Sequence, residues 1–180
     1  VAFKRRERPP LGGVLKFGKK HYGRTLEYIL FHNPGYIEFM LNNHIVPRNM
    51  PSRFWYLVTR AMHLKIPGRC PWYCKGKKAV TRMCLHATHD GRLGSVTFDC
   101  DTCEPDNMRW TMVRPSFLVS TYFHHYDKTG GRILVDAIRS AYDLPDVLRQ
   151  DAMETFFEND DNFNMIAVER EMQEHLESAA

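Results

Sequence analysis

The chain has 180 residues, of which 43% are apolar and 12% aromatic. That suffices for a packed core and excludes global disorder. No apolar run approaches the ~18 residues that cross a bilayer, and no secretory apolar region follows the basic start, so an intracellular location is expected. The formal net charge of +4 hides an asymmetry: residues 1–103 hold 18 Lys and Arg against 6 Asp and Glu, residues 104–180 hold 7 against 15. A basic front half can meet phosphate. An acidic rear half can face a basic partner, mimic nucleic acid, or simply keep the chain in solution.

Residues 1–13 run from Lys4-Arg5-Arg6-Glu7-Arg8-Pro9-Pro10 to Gly12-Gly13 and read as a basic, flexible arm. Val14-Leu15-Lys16-Phe17 has the pattern of a short strand. Gly18 and Gly23 bracket a turn that holds Lys19, Lys20 and His21. Thr25 is placed to cap a helix through Leu26, Tyr28, Ile29 and Leu30, and Asn33-Pro34-Gly35 stops it. A second helix carries Tyr36, Ile37, Phe39, Met40 and Leu41. A basic connector with Arg48 and Arg53 leads into helical spacing from Phe54 to Leu64, with Phe54, Leu57, Val58, Ala61 and Met62 on one side and Arg53, Arg60 and Lys65 elsewhere.

Phe17-Gly18-Lys19, Gly23-Arg24-Thr25-Leu26, Ile29-Leu30, Asn33-Pro34-Gly35-Tyr36-Ile37 and Phe39-Met40 resemble the small Phe-Gly-Lys-x-x-Gly module. That module is the C-terminal accessory domain of exodeoxyribonuclease X-like proteins and occurs in small bacterial and phage proteins. The likeness covers about 30 of the 180 residues, with three residues rather than two between Lys19 and Gly23. It implies a link to DNA transactions without nuclease activity, since the nuclease of those proteins is a separate domain.

Four cysteines carry the strongest chemical signal. Cys70 and Cys74 close one short segment, Cys100 and Cys103 another. Between them, Ala79 to His86 and Gly94 to Phe98 read as two strands joined at Asp90-Gly91. Two short cysteine turns flanking a hairpin resemble a zinc ribbon: tetrahedral Zn²⁺ takes four thiolates and leaves no open position, so the metal is structural. His86, His89 or Cys84 could replace one ligand, although Cys84, alone in mid-strand, reads as a buried free thiol. Lys75, Lys77, Lys78, Arg82 and Arg92 lie on or beside the ribbon, with Trp72 and Tyr73 in its first turn. Together with Lys19, Lys20 and Arg24 they form a candidate nucleic-acid surface of cations and stackable rings. Trp110 to Val113 is expected as a third strand.

Phe117 to Tyr126 reads as an apolar, aromatic helix broken by Gly130-Gly131. Ile133–Tyr142, Pro145–Phe157 and Ile166–Leu176 follow as three more helices. His124-His125-Tyr126-Asp127-Lys128-Thr129-Gly130-Gly131 loosely resembles the start of a His-Asn-His nuclease motif, but its downstream Asn and second His are missing. No phosphate-binding Gly-Lys-Ser/Thr loop and no deaminase His-x-Glu is present.

The expected fold is α+β: the arm, a strand-helix-helix module with its connector over 14–69, a zinc ribbon over 70–115, and an acidic helical segment over 116–180. The expected function is a non-enzymatic, zinc-containing accessory factor that binds nucleic acid, DNA first. One alternative is a subunit or inhibitor that attaches to a protein partner through the acidic helices; the other is a metal-dependent nuclease.

Overall fold

The computed structural model describes residues 12–103 and 110–178. The arm expected over 1–13 lies outside them apart from Gly12 and Gly13. Six α-helices and three strands follow in the order α1 (Leu26–His32), α2 (Pro34–Asn42), α3 (Pro51–Ala61), β1 (Arg82–Ala87), β2 (Leu93–Asp99), β3 (Trp110–Val113), α4 (Lys128–Ala141), α5 (Gln150–Glu158) and α6 (Met165–Ser178). The fold is mixed α+β. One hydrophobic cluster draws on both halves of the chain, from Leu15 through Leu57 and Leu85 to Phe157 and Val168.

The helix starts have local causes. The Thr25 hydroxyl accepts from the Tyr28 amide at 3.2 Å and so caps α1. Pro34 and Pro51 occupy the first positions of α2 and α3, where a missing N–H costs nothing. The strand expected at Val14–Phe17 does not form. Leu15 instead donates to the Arg24 carbonyl and accepts from the Gly23 amide, both at 2.8 Å, closing the segment into a loop. Gly18 and Gly23 both take positive φ, +71° and +75°, which a turn this tight requires.

The sheet has the order β2-β1-β3, antiparallel throughout. Met83 pairs with Phe98 and Val113, and Leu85 with Val96, so β1 is central. Gly91, at φ +77°, sits in the hairpin turn. The hairpin and the third strand stand where the sequence puts them.

In the rear half the helix expected over Pro145–Phe157 begins only at Gln150, and two further expectations fail for identifiable reasons. Phe117 to Tyr126 is not a regular helix; a single 3-10 turn covers Ser120–Tyr122. The segment is pinned from outside: Leu64 donates to the Pro115 carbonyl at 3.0 Å, Phe117 to the Ala61 carbonyl at 2.8 Å, and Ser120 to Glu38 at 2.8 Å. Backbone groups held this way are not free to bond four residues back. Gly130 and Gly131 break nothing. They lie inside the first turn of α4, whose cap is Asp127 accepting from the Gly130 amide at 3.0 Å. A Cβ on Gly130 would stand 3.4 Å from the Tyr126 ring, and one on Gly131 3.4 Å from Pro34. Both are ordinary contact distances, so the turn packs on Tyr126 and Pro34 without depending on the missing side chains.

The two halves meet over charge as well as apolar surface. Arg53 and Arg60, expected away from the apolar side of α3, are 3% and 2% exposed. Arg53 pairs with the buried Glu27 and, at 2.6 Å, with Glu158. Arg60 donates to the Phe157 carbonyl at 2.8 Å and pairs with Asp160 at 2.6 Å. His63 contacts Glu171 on α6. Around this seam Phe31, Phe117, Phe156, Phe157 and Phe163 pack mostly edge to face.

Arg53→Met is expected to leave Glu27 buried without its cation and to destabilise the protein by about 3–5 kcal/mol. Adding Glu27→Met recovers part of that loss, measurable in a double-mutant cycle of denaturant unfolding. Glu38 is 6% exposed and one of its carboxylate oxygens has no partner. Burial pushes its carboxyl up to about 7. A raised carboxyl favours the folded state while protonated, and that stability is lost as pH rises from about 4.5 to about 7. Glu38→Gln therefore matches the parent near pH 4 and exceeds it by about 3 kcal/mol at pH 8, readable as a pH-dependent difference in unfolding midpoint.

Candidate metal centre and basic cleft

The loop before β1 closes on itself. Cys70 donates to the Lys78 carbonyl at 2.9 Å, Gly76 to the Cys70 carbonyl at 3.1 Å, and Lys77 to the Cys74 carbonyl at 3.1 Å. Lys75 and Gly76 take positive φ, +50° and +72°, so the chain reverses just after Cys74. The second pair begins one residue past the end of β2, so the hairpin carries it up to the first.

Cys70, Cys74, Cys100 and Cys103 converge with all four Sγ atoms within 4.8 Å of one another. Three are buried, and all are free thiols. Four sulfurs at ~2.3 Å from a tetrahedral ion lie ~3.8 Å apart, so the cage fits one ion. Backbone amides of Trp72 and Cys100 point at the Cys70 sulfur, those of Lys78 and Gly76 at Cys74, and those of Thr102 and Cys103 at Cys100. Amide donors aimed at sulfur favour thiolate. Burial pushes Cys103 up to about 12, while the Thr102 hydroxyl brings Cys100 down to about 6. The cage is a buried, four-thiol site able to hold a metal ion.

Among the described residues, no histidine joins this group. The His86 ring lies 5.1 Å from that of Trp110. Cys84 is fully buried on β1, its Sγ donating to Asp99 at 3.0 Å, and its thiol is pushed up to about 12 by burial. It is the inert thiol that its mid-strand position suggests.

The expected nucleic-acid residues separate into groups. Arg82 donates to the Cys103 carbonyl at 2.5 Å and lies 3.7 Å from Asp99, bracing the cage. Arg92 sits between Asp90 and Asp127, 3.0 Å from each. Lys78 is 3.5 Å from Asp101. Lys75 and Lys77 are exposed, and Trp72 is 40% exposed. Lys19 is exposed on the glycine-bracketed turn.

Lys20 and Arg24, on the same turn, meet neighbours that the sequence did not disclose. They line a cleft of about 750 Å³ with Tyr28, His32, Lys128 and Arg132. The last two belong to α4, in the acidic half. Lys20, Arg24, Lys128 and Arg132 are exposed and have no carboxylate partner among the described residues. At the far end Arg139 is neutralised by Asp136 at 3.2 Å and Asp146 at 3.7 Å. His21 registers the field: burial lowers its pKa first, and Lys20, Arg24 and Lys128 lower it further. In the sequence, the signal for this cleft is the run Lys128-Thr129-Gly130-Gly131-Arg132, masked by the acidic residues around it.

No family model matches the chain, and no curated protein or solved structure is significantly similar to it.

Protein prepared without chelators is expected to carry one thiophilic metal ion per chain by elemental analysis. Cys100→Ser abolishes that content and lowers the unfolding midpoint, because ion binding there is folding free energy. Cys84→Ala keeps the full content.

Proposed function

We propose that this protein is a zinc-containing accessory factor that binds nucleic acid. Zinc is the ion that a closed, all-cysteine cage suits best, and with four protein ligands its part is to hold the two cysteine turns together. The reading assigns the chain no catalytic step. The observation that carries the nucleic-acid half is the basic cleft: four cations without carboxylate partners among the described residues, from two distant segments, around one concave site. Cations gathered without counter-charges favour a polyanion, and phosphate oxygens are the ligand such a set neutralises best. Lys75, Lys77 and Trp72, exposed around the first cysteine turn, add a second set of cations beside a stackable ring. The likeness of residues 17–40 to the Phe-Gly-Lys-x-x-Gly module points to DNA transactions too.

Attachment to a larger protein machine through the acidic helices has one observation in its favour. On α6, Ile166 is 74% and Leu176 49% exposed, in company with the exposed Glu169, Glu174 and Glu177.

The binding reading is tested by fluorescence anisotropy with labelled DNA and RNA between about 50 and about 200 mM salt. Affinity is expected to fall linearly on a log–log plot. Replacing Lys20, Lys128 and Arg132 by Gln reduces the slope by about 0.7–0.9 for each phosphate left unneutralised, with the fold unchanged by circular dichroism. Absence of binding at the lowest salt, to every probe, overturns the proposal.

A further inference from the structure

We propose that the cleft receives a single strand, one or two nucleotides deep, with a base stacked on His32 and the flanking phosphates on Lys20, Lys128 and Arg132. This rests on the nucleic-acid reading above and adds the form of the ligand. The first support is size. About 750 Å³ falls among pockets that enclose a drug-sized molecule, roughly 300–1,000 Å³, which is the scale of one or two nucleotides and far below that of a duplex. The cations line a concavity, whereas a duplex presents its phosphates on a convex surface.

The second support is a column of π-faces along α1. The Arg24 guanidinium lies over the Tyr28 ring, 4.6 Å from its centre. The His32 ring stacks on Tyr28 at 3.9 Å with the planes 13° apart. Tyr28 and His32 are four apart on α1 and share one helix face, and Arg24 reaches the column from just before the Thr25 cap. His32 is exposed, and no other described ring lies against it. Its Nδ1 bonds the Tyr28 carbonyl at 2.8 Å, which fixes the ring plane. An ordered ring with an open face, beside cations without carboxylate partners, has the two parts that sequence-tolerant single-strand sites combine: a stacking platform and a phosphate track.

The test uses the full-length protein and four labelled probes: a mixed-sequence single strand of about 12 nucleotides as DNA and as RNA, the matching duplex, and a mononucleotide. A single strand is expected to bind at least about tenfold more tightly than the duplex. His32→Ala, a surface change, weakens that binding by roughly 5- to 100-fold, the loss of one stacked base, and leaves the salt slope unaltered. Arg132→Gln lowers the salt slope instead. Should His32→Ala be unstable, Tyr28→Leu reads the same column, and thermal melts of both identify a folded variant. Duplex binding equal to or tighter than single-strand binding overturns the inference while leaving the nucleic-acid reading standing. So does unchanged affinity in folded His32→Ala and Tyr28→Leu. A mononucleotide that binds as tightly as the strand makes the cleft a small-ligand site and overturns it too. Binding of no probe overturns both readings.

Discussion

Two buried guanidiniums on α3 hold the architecture in register. A buried charge is costly unless it is paired and hydrogen-bonded. Arg53 and Arg60 find their counter-charges about 100 residues downstream, on Glu158 and Asp160, with Glu27 completing the first pair. The C-terminal helices must therefore dock on α3 in one place and one orientation. Apolar packing alone permits sliding; a guanidinium that must meet both a carboxylate and the Phe157 carbonyl does not. Once α5 and α6 are placed, the phenylalanine cluster closes beneath them. A chain cut after residue 115 would lose the downstream partners of both arginines and the packing of Phe31, so it cannot stand for the intact protein in a binding experiment.

Local chemistry was readable from the sequence, and distant pairing was not. Each cysteine pair, the Asp-Gly turn of the hairpin that joins the two pairs, and the Thr25 cap act within a few residues, so their signals survive in a linear string. The buried arginines did not show, because an arginine on an amphipathic helix looks solvated until its partner is known. Gly130-Gly131 misled for a related reason. Glycine weakens a helix in isolation, but here the Asp127 cap and the packing of that turn against Tyr126 and Pro34 hold it helical. The segment from Phe117 to Tyr126 has the apolar content of a helix, yet its backbone is already bonded to Ala61 and Glu38.

The charge asymmetry divides into separate fates once the fold is known. One part is internal: Arg53 and Arg60 neutralise acids of the rear half. A second part surrounds the cysteines. A divalent ion held by four thiolates would carry a net negative charge, which Lys75, Lys77, Lys78 and Arg82, in or beside the cysteine turns, would offset. The third part is the cleft, where Lys20 and Arg24 gain Lys128 and Arg132 from the acidic half instead of a carboxylate.

That third group shows why net charge by segment is a poor guide to binding. The rear half is acidic in sum, but its acids and bases are sorted in space. Glu158, Asp160 and Glu171 face α3, while Lys128 and Arg132 at the start of α4 face the glycine turn. What sorts them is the packing of α4 against Tyr126 and Pro34. A Cβ at either glycine would meet Tyr126 or Pro34 at 3.4 Å, an ordinary contact distance, so the first turn of α4 packs directly on both and carries its two cations to the cleft. The positive site is therefore a product of helix packing rather than of local composition, and it exists only where the front and rear halves are folded together.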